Sequence, residues 1–489
     1  MKSKHCLLWT LALCAGFTLV SCDDDDELPK NEVEQLADDQ PKPAEASKGF
    51  WVVNEDWFGH SNGTVNYFKQ QAPDAYEAVY RAYRAANPGE ELGVTTQFAA
   101  VWNGNLYFVS KQGNRLVVAD ARTLKKKAVL TDFGGDGRSF VGLTENKGYV
   151  GHAAGVAVLD LQSNTVKGQL KGVSGQVGGM ALAGNRVFMV SEDQGVLVVN
   201  AETDQVEKTI EGDYHTLTVS RDGNVWVAGN EGLTRIQPAT LETSTVAYPE
   251  NGSISATWYA WNAGSLCAST QKNVLYWTGG AEGWGGAKKV FKYDIDAAAA
   301  PTVIYELGQS EDGQPLEFYG AGLRVDPLTD ELVLTVKHEG WGQAGAFNWV
   351  YKLDNNGREL THFAMKGDDG SAAGSAGKPE DWNERYYWFP ALPVFEDANA
   401  PQILLNQVML KSGNTVQVNL AEKVVDYDNT PASWQYAVAV PEGGLVDVTL
   451  EGSVLKVVSR GETGTATCRL QVWSNGVRAE KDIQLAVVE

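Results

Sequence analysis

One pattern recurs along this chain and limits its fold more than any other: a tight polar turn followed by a run of β-branched and aromatic residues. Asn103-Gly104-Asn105 precedes Leu106-Tyr107-Phe108-Val109, and Gly184-Asn185-Arg186 precedes Val187-Phe188-Met189-Val190. Asn146-Lys147-Gly148, Asp222-Gly223-Asn224, Gln271-Lys272-Asn273 and Thr329-Asp330-Glu331 introduce similar runs. Such turns between apolar runs mark hairpins. Each is followed by a further strand ending near an acid or amide, as in Val156-Ala157-Val158-Leu159-Asp160 and Val196-Leu197-Val198-Val199-Asn200, where the polar side chain can cap a turn into an outer strand. The spacing, about forty residues at first and longer later, is that of a four-stranded propeller blade.

Six such units are legible. A seventh begins at Phe50-Trp51-Val52-Val53, which has no strand ahead of it. Tyr386-Tyr387-Trp388-Phe389 is expected to supply the missing inner strand, closing the ring and removing open edges. The expectation is an all-β chain: a seven-bladed β-propeller over 48–396, followed by a small immunoglobulin-like β-sandwich over 397–489. The second part shows short alternating runs and a strong Asn475-Gly476 hairpin signal. Within it, Asp426-Tyr427-Asp428-Asn429 faintly resembles a calcium loop of cadherin-type modules, but the fuller acidic set is absent and a plain turn is the favoured reading.

The N-terminus has the form of a secretory signal. Lys2 and Lys4 precede an uncharged apolar run from Cys6 to Val20, too short for a spanning helix. It ends in Leu19-Val20-Ser21-Cys22, which resembles the lipobox of bacterial lipoproteins. That resemblance implies cleavage of a signal peptide over 1–21, lipidation at Cys22 and a membrane contact through the lipid anchor only. The acidic run Asp23 to Glu27 resembles a surface-export signal, which places the protein on the outer face of an outer membrane. Residues 22–47 are expected to form an acidic flexible tether.

The sequence carries 62 acidic against 40 basic residues, a net charge of −22, and loses two lysines with the signal. A surface so acidic repels phosphate backbones, so nucleic acid is excluded as a natural partner. Cys267 and Cys468 lie in different expected domains within apolar alternating runs, and are expected as buried thiols.

The loops joining the second and third strands of a blade emerge on one face of a propeller, and here they carry a repeat. Blade 1 has Glu55-Asp56-Trp57-Phe58-Gly59-His60, blade 6 has Glu282-Gly283-Trp284-Gly285, and blade 7 has His338-Glu339-Gly340-Trp341-Gly342. Blades 6, 7 and 1 adjoin in a closed ring of seven. Interblade segments beside them add Trp258, Tyr259, Trp382 and Tyr386. Tryptophans on Gly-rich loops suit flat, partly apolar ligands; each could instead fold down as a plug between blades. The ligand-binding candidates are therefore Trp57, Phe58, His60, Trp258, Tyr259, Trp284, His338, Trp341, Trp382 and Tyr386. His60, His152 and His338 share this loop set, but no two have metal-ligand spacing. No nucleophile elbow, phosphate loop or zinc-helix motif is present, so no catalytic residue is assigned. Asp56 and Glu339 could pair as glycosidase carboxylates only at a separation that sequence does not give.

The lipobox, the acidic run, Phe50 to Gly59 and the closing Tyr387-Trp388-Phe389-Pro390 together resemble a family of surface lipoproteins with YncE-like propellers, related to the BtuG-like proteins that capture cobalamin. The resemblance implies a non-enzymatic capture protein that needs no cofactor, works beside a TonB-dependent outer-membrane transporter, and carries cobalamin or another corrinoid as transported ligand. A surface glycan-binding or glycan-cleaving protein and a structural or adhesive propeller with a protein partner are the alternative expectations.

Overall fold

Each repeat of the sequence pattern forms one antiparallel four-stranded sheet, and seven such sheets are present among the described residues. The computed structural model describes residues 35–254, 257–281, 286–367, 370–373, 382, 386–439 and 444–489. The signal, the lipobox and the acidic run lie outside the described residues, as does Trp284. Blades 2 to 7 follow in chain order, innermost strand first, from Val94–Trp102 in blade 2 to Glu359–Ala364 in blade 7.

Alternation with both faces buried explains the sequences of the middle strands. In blade 4, Val187, Met189, Leu197 and Val199 enter one interblade core, while Phe188, Val190, Val196 and Val198 enter the next. Side chains two apart share a face of a strand, so an unbroken apolar run serves two cores at once. The outer strand of the blade, Val206–Ile210, is largely exposed and correspondingly polar.

Blade 1 closes the ring. Gly49–Asn54, Thr64–Ala72 and Ala75–Val79 are joined by an inner strand from the far end of the propeller. That strand is Pro390–Phe395, with Phe50 opposite Phe395 and Trp51 opposite Val394. The expected inner strand, Tyr386 to Phe389, lies just ahead of it and is not paired in the sheet. Phe389 has a left-handed backbone (φ +54°) that turns the chain before the strand begins, and Tyr386, Tyr387 and Trp388 are buried as packing groups.

Residues 397–489, with one added strand, form two main sheets over a shared core, beside a short pairing of Gln402–Ile403 with Val424–Val425. One contains Gln35–Asp38, Leu405–Lys411, Val477–Val488, Gly464–Ser474 and Gln435–Ala439 in that spatial order; the other contains Thr415–Asn419, Val454–Ser459 and Val446–Glu451. Val408, Leu470 and Leu485 from the first meet Val416, Leu455 and Val457 from the second. The architecture is a two-sheet β-sandwich. The tether expectation needs correction for its latter part: Gln35–Asp38 pairs antiparallel with Leu405–Lys411, and the Lys42 and Glu45 amides donate to Gln402 and Asn399. Sequence composition concealed this because the strand is an edge strand with little apolar surface.

The sandwich docks on the hairpin turns of blades 2 and 3. Asn103 N donates to Asn475 O at 2.9 Å, Gln435 Nε2 to Leu143 O at 3.0 Å, and Trp473 Nε1 to Glu145 Oε1 at 2.7 Å. Gly476 combines a positive φ (+78°) with a close approach: a Cβ there would sit 2.7 Å from Trp102 Nε1. In an antiparallel blade these turns and the loops between strands two and three are at opposite ends, so docking leaves the aromatic loops uncovered. Cys267 and Cys468 are free and buried, and burial pushes the Cys468 thiol up to about 11.

Candidate functional site

The blade 1 and blade 7 loops meet at a cavity of about 390 Å³. Trp57, Phe58 and Trp341 line it together with Tyr319, Phe389 and the floor groups Glu55, Thr95, Gln97, Lys111 and Asn262. Its size falls within the usual range for small-molecule pockets. Trp341 is 70% exposed and Phe58 59%, so both stand on the rim. The Tyr319 ring lies 5.2 Å from that of Phe389 and 6.5 Å from that of Trp341.

A buried ion pair supports this wall. Lys337, 1% exposed at its side chain, pairs with Glu317 behind the aromatics. Its Nζ lies 5.6 Å from the Tyr319 ring centroid and 5.8 Å from that of Trp341, within cation–π range. It also donates to the carbonyls of His338 and Gly340, which start the Trp341 loop. Glu317 Oε2 accepts from Gly286 N at 2.7 Å, where the blade 6 loop returns. One buried pair therefore holds the start of the Trp341 loop and the Gly286 amide.

The blade 1 loop is anchored through its backbone. Glu55 N and Asp56 N donate to the carbonyls of Phe389 and Trp388, each at 3.0 Å. Asp56 takes a left-handed conformation (φ +53°), unusual for a residue other than glycine. Its buried carboxyl accepts from Trp388 N at 3.2 Å, and burial raises its pKa to about 7 against the lowering influence of Thr64, Arg81 and Arg84. Burial also raises the pKa of Glu55, opposed by Lys111, Gln97 and Tyr319.

The remaining candidates separate. Tyr259 is fully exposed, next to the cavity-lining Ala260. Trp258 is half-buried against the axial core, and the neighbouring Trp261 is buried in it. Trp382 and Tyr386 are buried plugs with ring centroids 5.9 Å apart, so they do not line the cavity. His338 also points away from it: its ring stacks on Phe347 at 4.7 Å and burial lowers its pKa. His60 stacks on Trp57 at 4.0 Å but lines a separate polar cavity of about 330 Å³ with Arg81 and Arg84. Among the described residues, no three His, Cys, Asp or Glu side chains are grouped to hold a metal ion, Asp426 and Asp428 included. Asp428 instead accepts from Asn399, and Asp426 caps its own turn.

The floor groups are those that sequence reading missed. Gln97 and Tyr319 sit where the inner strands of blades 2 and 7 slip register, between Thr96 and Phe98 and between Phe318 and Leu323. A bulge re-aims side chains and breaks the alternation by which they would be recognised.

Fold and cavity define a seven-bladed β-propeller with an aromatic-rimmed, polar-floored cavity at one end of its axis. More particularly, the chain belongs to the family described as a domain of unknown function, DUF5074, whose model matches residues 48–396. No curated protein matches the chain. Among solved structures it is similar to a quinoprotein alcohol dehydrogenase-like protein from Bacteroides thetaiotaomicron, at 17% identity over 65% of this chain and 76% of that one, with a TM-score of 0.49. It is also similar to the WD40 propeller domain of Doa1, at 13% identity over 62% and 91%, TM-score 0.42. The extracellular domain of a one-component system from B. thetaiotaomicron matches at 11% identity over 86% and 61%, TM-score 0.40.

Proposed function

We propose that the protein is a non-enzymatic capture lipoprotein of the outer-membrane surface, holding a large flat ligand over the axial cavity for a TonB-dependent transporter, with cobalamin or another corrinoid as the first candidate. The observation that carries the reading is the coincidence of exposed Trp341 and Phe58 with a concave polar floor. Exposed aromatic area costs water contact unless something covers it, and the rim offers flat surfaces to a ring system. A corrin exceeds a cavity of about 390 Å³, so it would seat one edge there and lie across Trp341, Phe58 and Tyr259. The lipobox at Cys22 and the acidic run behind it support the surface placement. Among the described residues no helix is long and apolar enough to cross a membrane, and this reading attaches the chain through the acyl anchor at Cys22.

A second reading, glycan binding, is favoured by the same rim, since sugars also stack on tryptophan. Tryptophan fluorescence titrations with corrinoids, haem, siderophores and glycans separate the two. Saturable quenching by a corrinoid supports capture of that class; quenching by glycans alone replaces it with the second reading.

A further inference from the structure

We infer that the cavity floor recognises a neutral carboxamide on the ligand and discriminates against a carboxylate at the same position. The inference deepens the capture reading and rests on it for the identity of the cavity as the binding site.

The floor combines acceptors and donors with little net charge. Glu55, Thr95 and Gln97 are each at least nine-tenths buried, line the cavity, and carry a buried oxygen with no hydrogen-bond partner, Glu55 Oε1, Thr95 Oγ1 and Gln97 Oε1, although Gln97 and Tyr319 already supply donors to the Glu55 carboxyl as a whole. Buried acceptors left without a donor are costly, so a ligand covering them gains by bringing N–H or O–H groups. Lys111, half-buried in the same floor, supplies the opposite character, and its charge and that of Glu55 feel one another. Asn262 Oδ1 accepts from Gly264 N at 2.9 Å, an arrangement that leaves its amide nitrogen as the donor for a ligand.

A primary carboxamide matches this set. Its two N–H groups serve the Glu55 and Gln97 oxygens, and its carbonyl accepts from Lys111, Asn262 or the Thr95 hydroxyl. A carboxylate would offer these oxygens no donor, and would add a like charge wherever Glu55 is ionised. An ammonium would meet Lys111. The aromatic wall of Tyr319 and Phe389 selects a planar group beside the amide. The ligand class is thus a flat body bearing neutral carboxamides, which describes a corrinoid periphery better than the propionates of haem.

Benzamide and benzoate, flat rings differing only in this group, test the floor without assuming the natural ligand. Titration of the mature chain by ligand-observed NMR should show benzamide binding in the millimolar range and benzoate weaker by about tenfold or more. Glu55→Gln should bring the two within about threefold by removing the like-charge contact. Lys111→Met should widen the gap by removing the cation of the floor, and it carries the test if Glu55→Gln melts early. The inference is overturned if benzoate binds as well as benzamide, if neither binds at the highest soluble concentration, or if both variants leave the ratio unchanged. Cobalamin titrated in parallel keeps the two claims apart: no cobalamin binding with amide selectivity intact overturns the corrinoid reading alone, and cobalamin binding without amide selectivity overturns this inference alone.

Discussion

The Trp57 indole stacks on the Trp388 indole, with ring centroids 4.7 Å apart and planes inclined by 26°. Trp388 comes from the segment that leads into the closing strand, and Trp57 from the loop that opens the cavity. The contact therefore joins ring closure to the site: the segment that leads into the closing strand also positions the aromatic loop of blade 1.

This relationship divides the tryptophans by role. Trp388 is fully buried, so Trp388→Ala should destabilise the propeller by about 3–5 kcal/mol, as for other buried Trp truncations. Trp226, 1% exposed in the core between blades 5 and 6, should behave alike. Trp341→Ala should leave the unfolding midpoint nearly unchanged, since its ring stands on the rim. Trp57→Ala should fall between. Denaturant titrations of the four variants give the order, and equal losses would dissolve the distinction between plug and rim.

Lys337 offers a second test, of the wall behind the rim. Removing its charge with Lys337→Met leaves Glu317 buried without its partner, a change expected to destabilise by about 3–5 kcal/mol. The double variant Lys337→Met with Glu317→Leu should recover most of that loss while still freeing the Gly286 amide and the Gly340 carbonyl. If the double variant is no more stable than the single one, the pair does not act as a unit.

Asp56 makes stability depend on pH. Its pKa is raised from 3.8 to about 7 by burial, so the folded chain holds the proton more tightly than the unfolded one. The contribution is complete below pH 4 and is lost as pH rises through about 7. Its neighbours Arg81 and Arg84 limit the shift without reversing it. Asp56→Asn keeps an acceptor for Trp388 N and removes the charge. It should match the wild type in thermal melts at pH 4 and exceed it at pH 8; a variant less stable at pH 8 would contradict this.

Ring closure predicts unequal truncations. Ending the chain at residue 385 removes Pro390–Phe395 and exposes the edge of blade 1, which should unfold the propeller. Ending it at residue 400 keeps that strand but uncovers the turns at Asn103 and Glu145, and strips 35–47 of its sandwich partners. That chain should stay folded with a lower melting temperature. Equal damage from both cuts would place the closing strand elsewhere.

The repeat was readable because each blade places a polar turn before a strand buried on both faces, as with Gly184-Asn185 before Val187 to Val190. Adjacent blades gave the expected meeting of Trp57 and Trp341 at one cavity. Other features depend on local geometry that pattern does not encode. The closing strand begins at Pro390 because Phe389 turns first, and an aromatic run looks alike whether it is a strand or a plug. Gln97 reaches the floor and Tyr319 the wall from bulges, where alternation stops. His338 and Trp382 carry the residue types of a site, yet their rings pack on Phe347.

The central claim, ligand capture on an aromatic rim over the axial cavity, is tested most directly by calorimetric titration of the mature chain with cobalamin, wild type beside Trp341→Ala. The account predicts saturable binding by the wild type and a loss of about 1–3 kcal/mol in the variant, the range for aromatic anchors, with thermal melts of the two coinciding. Equal affinities, or no binding by the wild type to cobalamin or any other corrinoid, would contradict it.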